Sequence, residues 1–272
     1  MLKTVALLLT LLSTQVLHAD DAGEAAATKV AERIADAKAE IASLPDHPWA
    51  GEYCAGDGLG MNLRLWVAPR VGAAFQWHGC LGLYEQNFGT IESNGRYLSI
   101  DWRIEYDDPY VTDTRYIVTP FRNSIFLVPA QDVHRFCLAA RGVSPMPMMV
   151  LSSQSARNQP TLQRPELPAE YQKYLDLDPI QAKVLSVNEP ERKKLTDKLD
   201  LITQTVILDA GKDKRLFVGM RLEAMKPKLP DRIVTVTDVR ATESTAVSET
   251  RRQTGKPLLP VKTRWLFHTA TW

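Results

Sequence analysis

Trp49-Ala-Gly-Glu-Tyr-Cys-Ala-Gly-Asp-Gly-Leu-Gly-Met-Asn62 leads, through an alternating run, into Trp77-His-Gly-Cys-Leu-Gly-Leu-Tyr84. Seven glycines and two cysteines stand among large apolar residues between Trp49 and Tyr84. Short strands that turn back sharply need such a mixture, because glycine alone adopts positive φ without steric cost. The stretch therefore points to a β fold, and the residues on either side of it extend that reading.

Downstream, apolar residues keep recurring at period two. Leu63-Arg-Leu-Trp-Val67, Ala74-Phe-Gln-Trp-His78 and Leu83–Phe88 are expected strands. Asn94-Gly95, between Thr90-Ile-Glu92 and Tyr97–Ile104, is a hairpin signal. Arg115–Val118, Ser124–Val128 and Val133–Leu138 complete about eight strands over 46–142, the pattern of a small barrel or sandwich. Val143–Pro168, with its Pro-Met-Pro-Met-Met and Ser-Ser-Gln-Ser runs, reads as a linker. Pro168–Leu175 is expected to make one or two helical turns. A second β unit over 169–272 uses Ile180–Val187, Leu201–Leu208, Met220–Ala224, Arg232–Val239, Ser244–Val247 and Arg264–Thr271, with a short charged helix at Glu189–Lys198.

Upstream, Asp21–Ser43 is Ala-rich and sets Val30, Ile34, Ile41 and Leu44 on one face. A helix over 20–45, packed loosely on the body and stopped by Pro45 and Pro48, is the expectation. Ahead of it, Lys3 precedes the apolar run Thr4–Leu12, and Ala19 precedes Asp20-Asp21. This has the form of a secretory signal peptide over 1–19, which places the mature chain in the periplasm or outside the cell. No later run reaches the ~20 apolar residues of a membrane helix. Trp272 suits the end of an outer-membrane barrel, but the strands are shorter than the ~10 residues such barrels need.

Charge is balanced, 33 Lys+Arg against 32 Asp+Glu. No global field gathers nucleic acid, which excludes that partner class as a reading of the whole chain. An exported chain with three cysteines has room for one disulfide and an odd thiol. Cys54–Cys80 would join the two arms of the opening stretch, with Cys137 the alternative partner or the remaining thiol.

His78, Cys80, His134 and Cys137 have metal-like side chains, with Cys54 nearby in sequence. Zinc takes four N or S ligands near tetrahedral geometry. His-x-Cys is no standard clamp, so no metal and no cofactor is assigned. Gly56-Asp-Gly-Leu-Gly60 is followed by a strand rather than a helix N-terminus, so it lacks the geometry that cradles phosphate. Glu105, Asp107, Asp108 and Asp113 match no calcium loop. No nucleophile elbow, Ser-x-x-Lys or zinc-protease helix occurs, though triads assemble in space and a hydrolase of unrecognised type stays open. Tyr53, Trp66, Phe75, Trp77, Tyr84 and Trp102 crowd the first unit. They fill a core or, in a roomy barrel, line a cavity for a small apolar ligand.

Gly51–Asn62 and Gly79–Tyr84 resemble stretches of uncharacterised exported bacterial proteins, a likeness that brings no activity with it. Val206-Ile-Leu-Asp-Ala-Gly211, Val218-Gly-Met-Arg-Leu222 and Val234–Val239 resemble a small β-barrel module of bacterial cell-envelope proteins, carried by rod-shape scaffold proteins and a flagellar assembly protein. That resemblance bears on fold more than on function, and the first expectation for function is an exported, non-catalytic envelope protein that binds or scaffolds through the second barrel. The alternatives are a carrier of a small apolar ligand in the first barrel and the hydrolase.

Overall fold

A computed structural model describes residues 24–56, 60–106, 114–153, 162–227, 229–257 and 259–270, with backbone only for 229–231. The signal-peptide stretch and Trp272 lie outside the described residues. The chain is mainly β, and its strands form two closed sheets. Clustered by proximity, it divides into Met1–Thr114 with Ser152–Arg157, and Arg115–Leu151 with Asn158–Trp272.

The first sheet runs in order β1 (Gly51–Gly56), β2 (Met61–Ala68), β3 (Gly72–Gly79), β4 (Gly82–Ser93), β5 (Tyr97–Trp102), β6 (Arg115–Phe121), β7 (Ser124–Pro129) and β8 (Leu151–Ser153), closing as a barrel. Register sorts the side chains. Tyr53, Leu65, Phe75 and Asn87 form one inward row, and Ala55, Leu63, Trp77 and Glu85 the next. Glu52, Trp66, Ala74 and Phe88 form an outward row between them. Gly72 allows the β2–β3 turn: its φ is +99°, and a Cβ there would stand 2.3 Å from the Gly89 carbonyl oxygen. Asn94 holds the expected hairpin, its side-chain oxygen accepting from the amides of Arg96 (3.2 Å) and Tyr97 (3.0 Å).

The helix α1 spans residues 24–42. It packs firmly, contrary to the loose packing expected of its narrow apolar stripe. Ala37 closes against Trp66, Ala68 and Ala74 on the outward row, with Ile34, Ile41 and Val71 around them. Small alanines let the helix axis approach the sheet, and polar groups then lock it. The Glu40 carboxylate accepts from the amides of Val71 (2.8 Å) and Arg70 (3.1 Å) and from Arg70 Nε (3.1 Å). Arg33 donates to the Val71 carbonyl from the other side. The β2–β3 turn is thus gripped through both its N–H and its C=O groups. Two shallow grooves of about 510 and 450 Å³ flank this clamp, one lined by Glu40 and Arg70, the other by Arg33 and Phe88.

In the second unit, the expected strand at Val133–Leu138 is instead the helix α2 (Val133–Ala140). Val133, Phe136, Cys137 and Ala140 recur at i, i+3, i+4 and i+7, and that helical period outweighs a superficial alternation. Phe136 packs against Phe121 and Phe126 of the β6–β7 hairpin, at ring-centre distances of 6.0 and 5.4 Å. The expected linker over 143–168 contributes β8 and a bridge between Leu162 and Arg122. A 3₁₀ turn over Ala169–Tyr174 occupies the segment read as helical turns.

The second sheet contains β9 (Gln181–Val187), β10 (Glu191–Thr196), β11 (Leu199–Leu208), β12 (Arg221–Lys226), β13 (Leu229–Val239), β14 (Ser244–Gln253) and β15 (Leu266–His268). Its order is β10-β11-β14-β13-β12-β15-β9, and β9 returns to β11 to close the ring. β10 corrects the expected charged helix at Glu189–Lys198. It continues the line of β9, so that one edge of β11 pairs first with β10 (Leu199–Thr203) and then with β9 (Val206–Leu208). An amphipathic face would have been needed to hold those residues as a helix, and β11 supplies a strand edge instead. Inward positions are mostly aliphatic: Val184, Ile202, Val206, Leu208, Leu222, Val234 and Val236 are at most 3% exposed. The segment after β14 is stitched to the sheet by Gln204, which donates to the carbonyls of Val261 and Asn188 (both 3.1 Å) and accepts from the Val261 amide (2.8 Å).

Candidate functional site

The sequence-nominated residues do not meet at one place. Cys54, Cys80 and Cys137 are all thiols, so the expected Cys54–Cys80 disulfide is absent and no bridge to Cys137 replaces it. The register gives the reason. Cys54 pairs with Arg64, Arg64 with Gln76, and Cys80 lies four residues beyond Gln76. Two strand spacings and four residues of rise separate the cysteines by roughly 15 Å, where a bridge needs Cα atoms about 4.4–6.8 Å apart.

Among the described residues, no group of three His, Cys, Asp or Glu side chains is placed to hold a metal ion. His78 lies on β3 and Cys80 in the turn after it, whereas His134 and Cys137 are buried in α2. The His134 ring is fully buried, with Nε2 donating to the Leu177 carbonyl at 3.3 Å. Burial depresses its pKa to about 4, so the ring is neutral near pH 7. Burial also drives the Cys137 thiol up to about 12, which makes it a poor nucleophile. The glycine loop at 57–59 and the aspartates at 107, 108 and 113 lie outside the described residues.

The aromatics separate by face. Tyr53 and Phe75 point inward and are 0% and 3% exposed. A chamber holding a ligand would leave accessible area on its lining side chains, and these two, with Leu63 and Leu65, have almost none. Trp66 lies outside the barrel under α1, with the Lys38 ammonium 5.1 Å from its ring centre. Trp102 contacts Phe75 at 6.0 Å between ring centres. Trp77 and Tyr84 stack at 5.0 Å beside the β3–β4 turn. Gly79 makes that stack feasible, since a Cβ on it would sit 2.1 Å from the Tyr84 ring.

Two charged features were not anticipated. One is a buried ion network in the second unit. Asp132, 2% exposed, pairs with Arg135 (3.4 Å) and Arg221 (3.5 Å), and Arg135 reaches on to Glu223 (3.3 Å). His268 stands opposite Glu223 in the β12–β15 pairing. Burial and then the nearby Arg135 charge lower its pKa, which favours the neutral imidazole. Two carboxylates meet two guanidiniums in these pairs, which fasten the start of α2 to β12. Only the spacing Asp132-x-x-Arg135 hints at it in the sequence, as an i,i+3 pair; its other partners lie almost ninety residues away.

The other feature is a three-stranded lobe made by β10, the first half of β11 and the second half of β14. Lys193, Leu201 and Arg251 share one cross-strand row, and Lys194, Asp200 and Arg252 the row on the opposite face. Asp200, 3% exposed, is satisfied by Arg192 (3.0 Å) and the Thr254 hydroxyl (3.3 Å). Lys193, Lys194, Lys198, Arg251, Arg252 and Lys256 are exposed. Glu191, Asp197 and Glu249 are exposed on the same lobe and Lys194 pairs with Asp197 at 2.7 Å, so the lobe carries a modest local excess of positive charge on a chain of net charge +1. No helix among the described residues is long and apolar enough to cross a membrane. No family model, curated protein or solved structure matches the chain.

Proposed function

We propose that the chain is an exported, non-catalytic protein of the bacterial cell envelope that binds or scaffolds an envelope partner through its second barrel. The leader-like N-terminal sequence and the resemblance of Val206–Val239 to envelope barrel modules support the compartment. One observation carries the binding role: the β10–β11–β14 lobe presents exposed lysines and arginines on ordered strands, while the interior of that barrel is filled with aliphatic side chains. Rigid strands present side chains at fixed spacing, which suits recognition of an acidic protein surface.

The test compares the chain with a Lys193→Glu/Arg251→Glu variant in crosslinking from envelope extract. A crosslinked species formed by the unaltered chain and lost with the charge reversals supports the reading. Equal crosslinking by both, or none by either, rejects it. Mass spectrometry of gently purified protein addresses the carrier alternative, because a carrier retains a lipid or pigment. The almost inaccessible Tyr53, Leu63, Leu65 and Phe75 weigh against that alternative.

A further inference from the structure

The β3–β4 hairpin ends in His78-Gly-Cys-Leu-Gly-Leu-Tyr84, a run without Asp, Glu, Lys or Arg. Its apolar side chains are not withdrawn from water: Leu81 is 91%, Leu83 46% and Tyr84 50% exposed. Tyr106, 36% exposed, joins them, its hydroxyl donating to the Gln86 carbonyl two residues beyond Tyr84. Single exposed apolar residues are ordinary, but a contiguous group at one end of a sheet marks a contact surface.

The geometry distinguishes among contacts. Leu83 pairs with His78 on the outward face, while the bulge between Trp77 and His78 turns Tyr84 to the opposite face, onto Trp77 and Gly79. Apolar groups thus cover both faces of the hairpin, and Leu81 stands at its tip. Gly82, with φ +120°, has nothing within 4 Å of its Cβ position, so that point of the turn faces open space. A protein partner would cover one face, and the four exposed side chains offer on the order of 500 Å², short of the ~800 Å² per side of a stable interface. A medium that surrounds the tip wets both faces at once. Tyr84, half-exposed beside an aliphatic tip and stacked on Trp77, suits the headgroup boundary, where one end of a ring is apolar and the other wet.

We propose that this apex inserts into the interfacial layer of a lipid bilayer, with Leu81 and Leu83 among the acyl chains and Trp77 and Tyr84 at headgroup depth. The attraction is apolar, so it persists at high salt. It uses the first barrel and stands apart from the role given to the basic lobe.

Cys80 supplies a reporter, because its thiol is exposed and adjoins Leu81, whereas Cys137 is 1% exposed. The full chain is treated with a charged maleimide, with and without phosphatidylcholine vesicles, and Cys80 alkylation is followed by peptide mass spectrometry. Vesicles are expected to slow the reaction at least tenfold, both at low salt and at about 1 M. Leu81→Asp restores the vesicle-free rate without changing thermal unfolding, since that side chain is almost wholly in water. Leu185→Asp, an exposed leucine of the second barrel, leaves the protection intact. An unaltered rate with vesicles overturns the proposal, as does protection that survives Leu81→Asp or vanishes at high salt. Protection that grows with protein concentration without lipid also overturns it, by assigning the apex to a second copy of the chain.

Discussion

His134 shows how a single residue can be misjudged from sequence. Its spacing to Cys137 suggests a ligand pair, yet its environment makes it a core residue: Tyr174 lies 5.8 Å away between ring centres, and Arg141 shares the Leu177 carbonyl at 2.7 Å. A histidine held at about 4, below its usual 6.5, stabilises the fold only while neutral. Its contribution is complete above pH 6.5 and is lost as pH falls from 6.5 toward 4, by on the order of 3 kcal/mol in full. His268 is shifted in the same direction and adds to that slope. Urea unfolding at pH 7, 6 and 5 should show falling stability, and His134→Gln should flatten the dependence. An unchanged slope in the variant would place the effect elsewhere. The cysteines follow the same logic of environment. Alkylation in lipid-free buffer should reach Cys80 first and Cys137 only on unfolding, and intact mass measured against denaturant checks that order.

At the scale of elements, period-two hydrophobicity and turn chemistry were legible, and the partners of each element were not. The Asn94-Gly95 hairpin and strands β2 to β7 read directly from residues 61–129, because each signal is local. The residues Val133–Leu138 and Glu191–Thr196 carry short, ambiguous patterns. The first becomes helix because Phe136 finds Phe121 and Phe126, and the second becomes strand because β11 offers an unpaired edge. The clamp on α1 was invisible for the same reason, since Glu40 and Arg70 are thirty residues apart. Burial works to raise the Glu40 carboxyl, but the Val71 amide and the Arg70 side chain and amide overcome it and hold it below the ordinary range. Glu40→Gln removes a charged acceptor from two amides and should cost about 1–3 kcal/mol. Tryptic cleavage at Lys29, Arg33 and Lys38 should accelerate in that variant while the barrel core resists. Because the folded pKa is depressed, the clamp is complete above the unfolded carboxyl pKa and is lost as pH falls through the folded one.

At the scale of the whole molecule, two β units are legible in the sequence, but not that α2, read there as a strand of the first, belongs with the strands of the second. The ion network joins Asp132 and Arg135, at the start of α2, to Arg221 and Glu223 on β12, residues that no local pattern links. Arg135 is the centre, bonded to both carboxylates and itself only 13% exposed in its side chain. Removing it leaves Asp132 with Arg221 alone and Glu223 without that guanidinium. Buried charges that lose a partner cost far more than the pair contributes over an apolar substitute. Arg135→Met should therefore destabilise the unit by about 3–5 kcal/mol, whereas Arg135→Met combined with Asp132→Asn and Glu223→Gln should recover part of that loss. Thermal or urea unfolding of the single and triple variants measures both values. If the network fastens α2 to the barrel, Arg135→Met should also split unfolding, with His134 and Cys137 exposed before the β11–β14 amides exchange with solvent. Hydrogen exchange read beside Cys137 alkylation resolves the two events, and a single coincident transition would show that the aliphatic core alone holds the unit together.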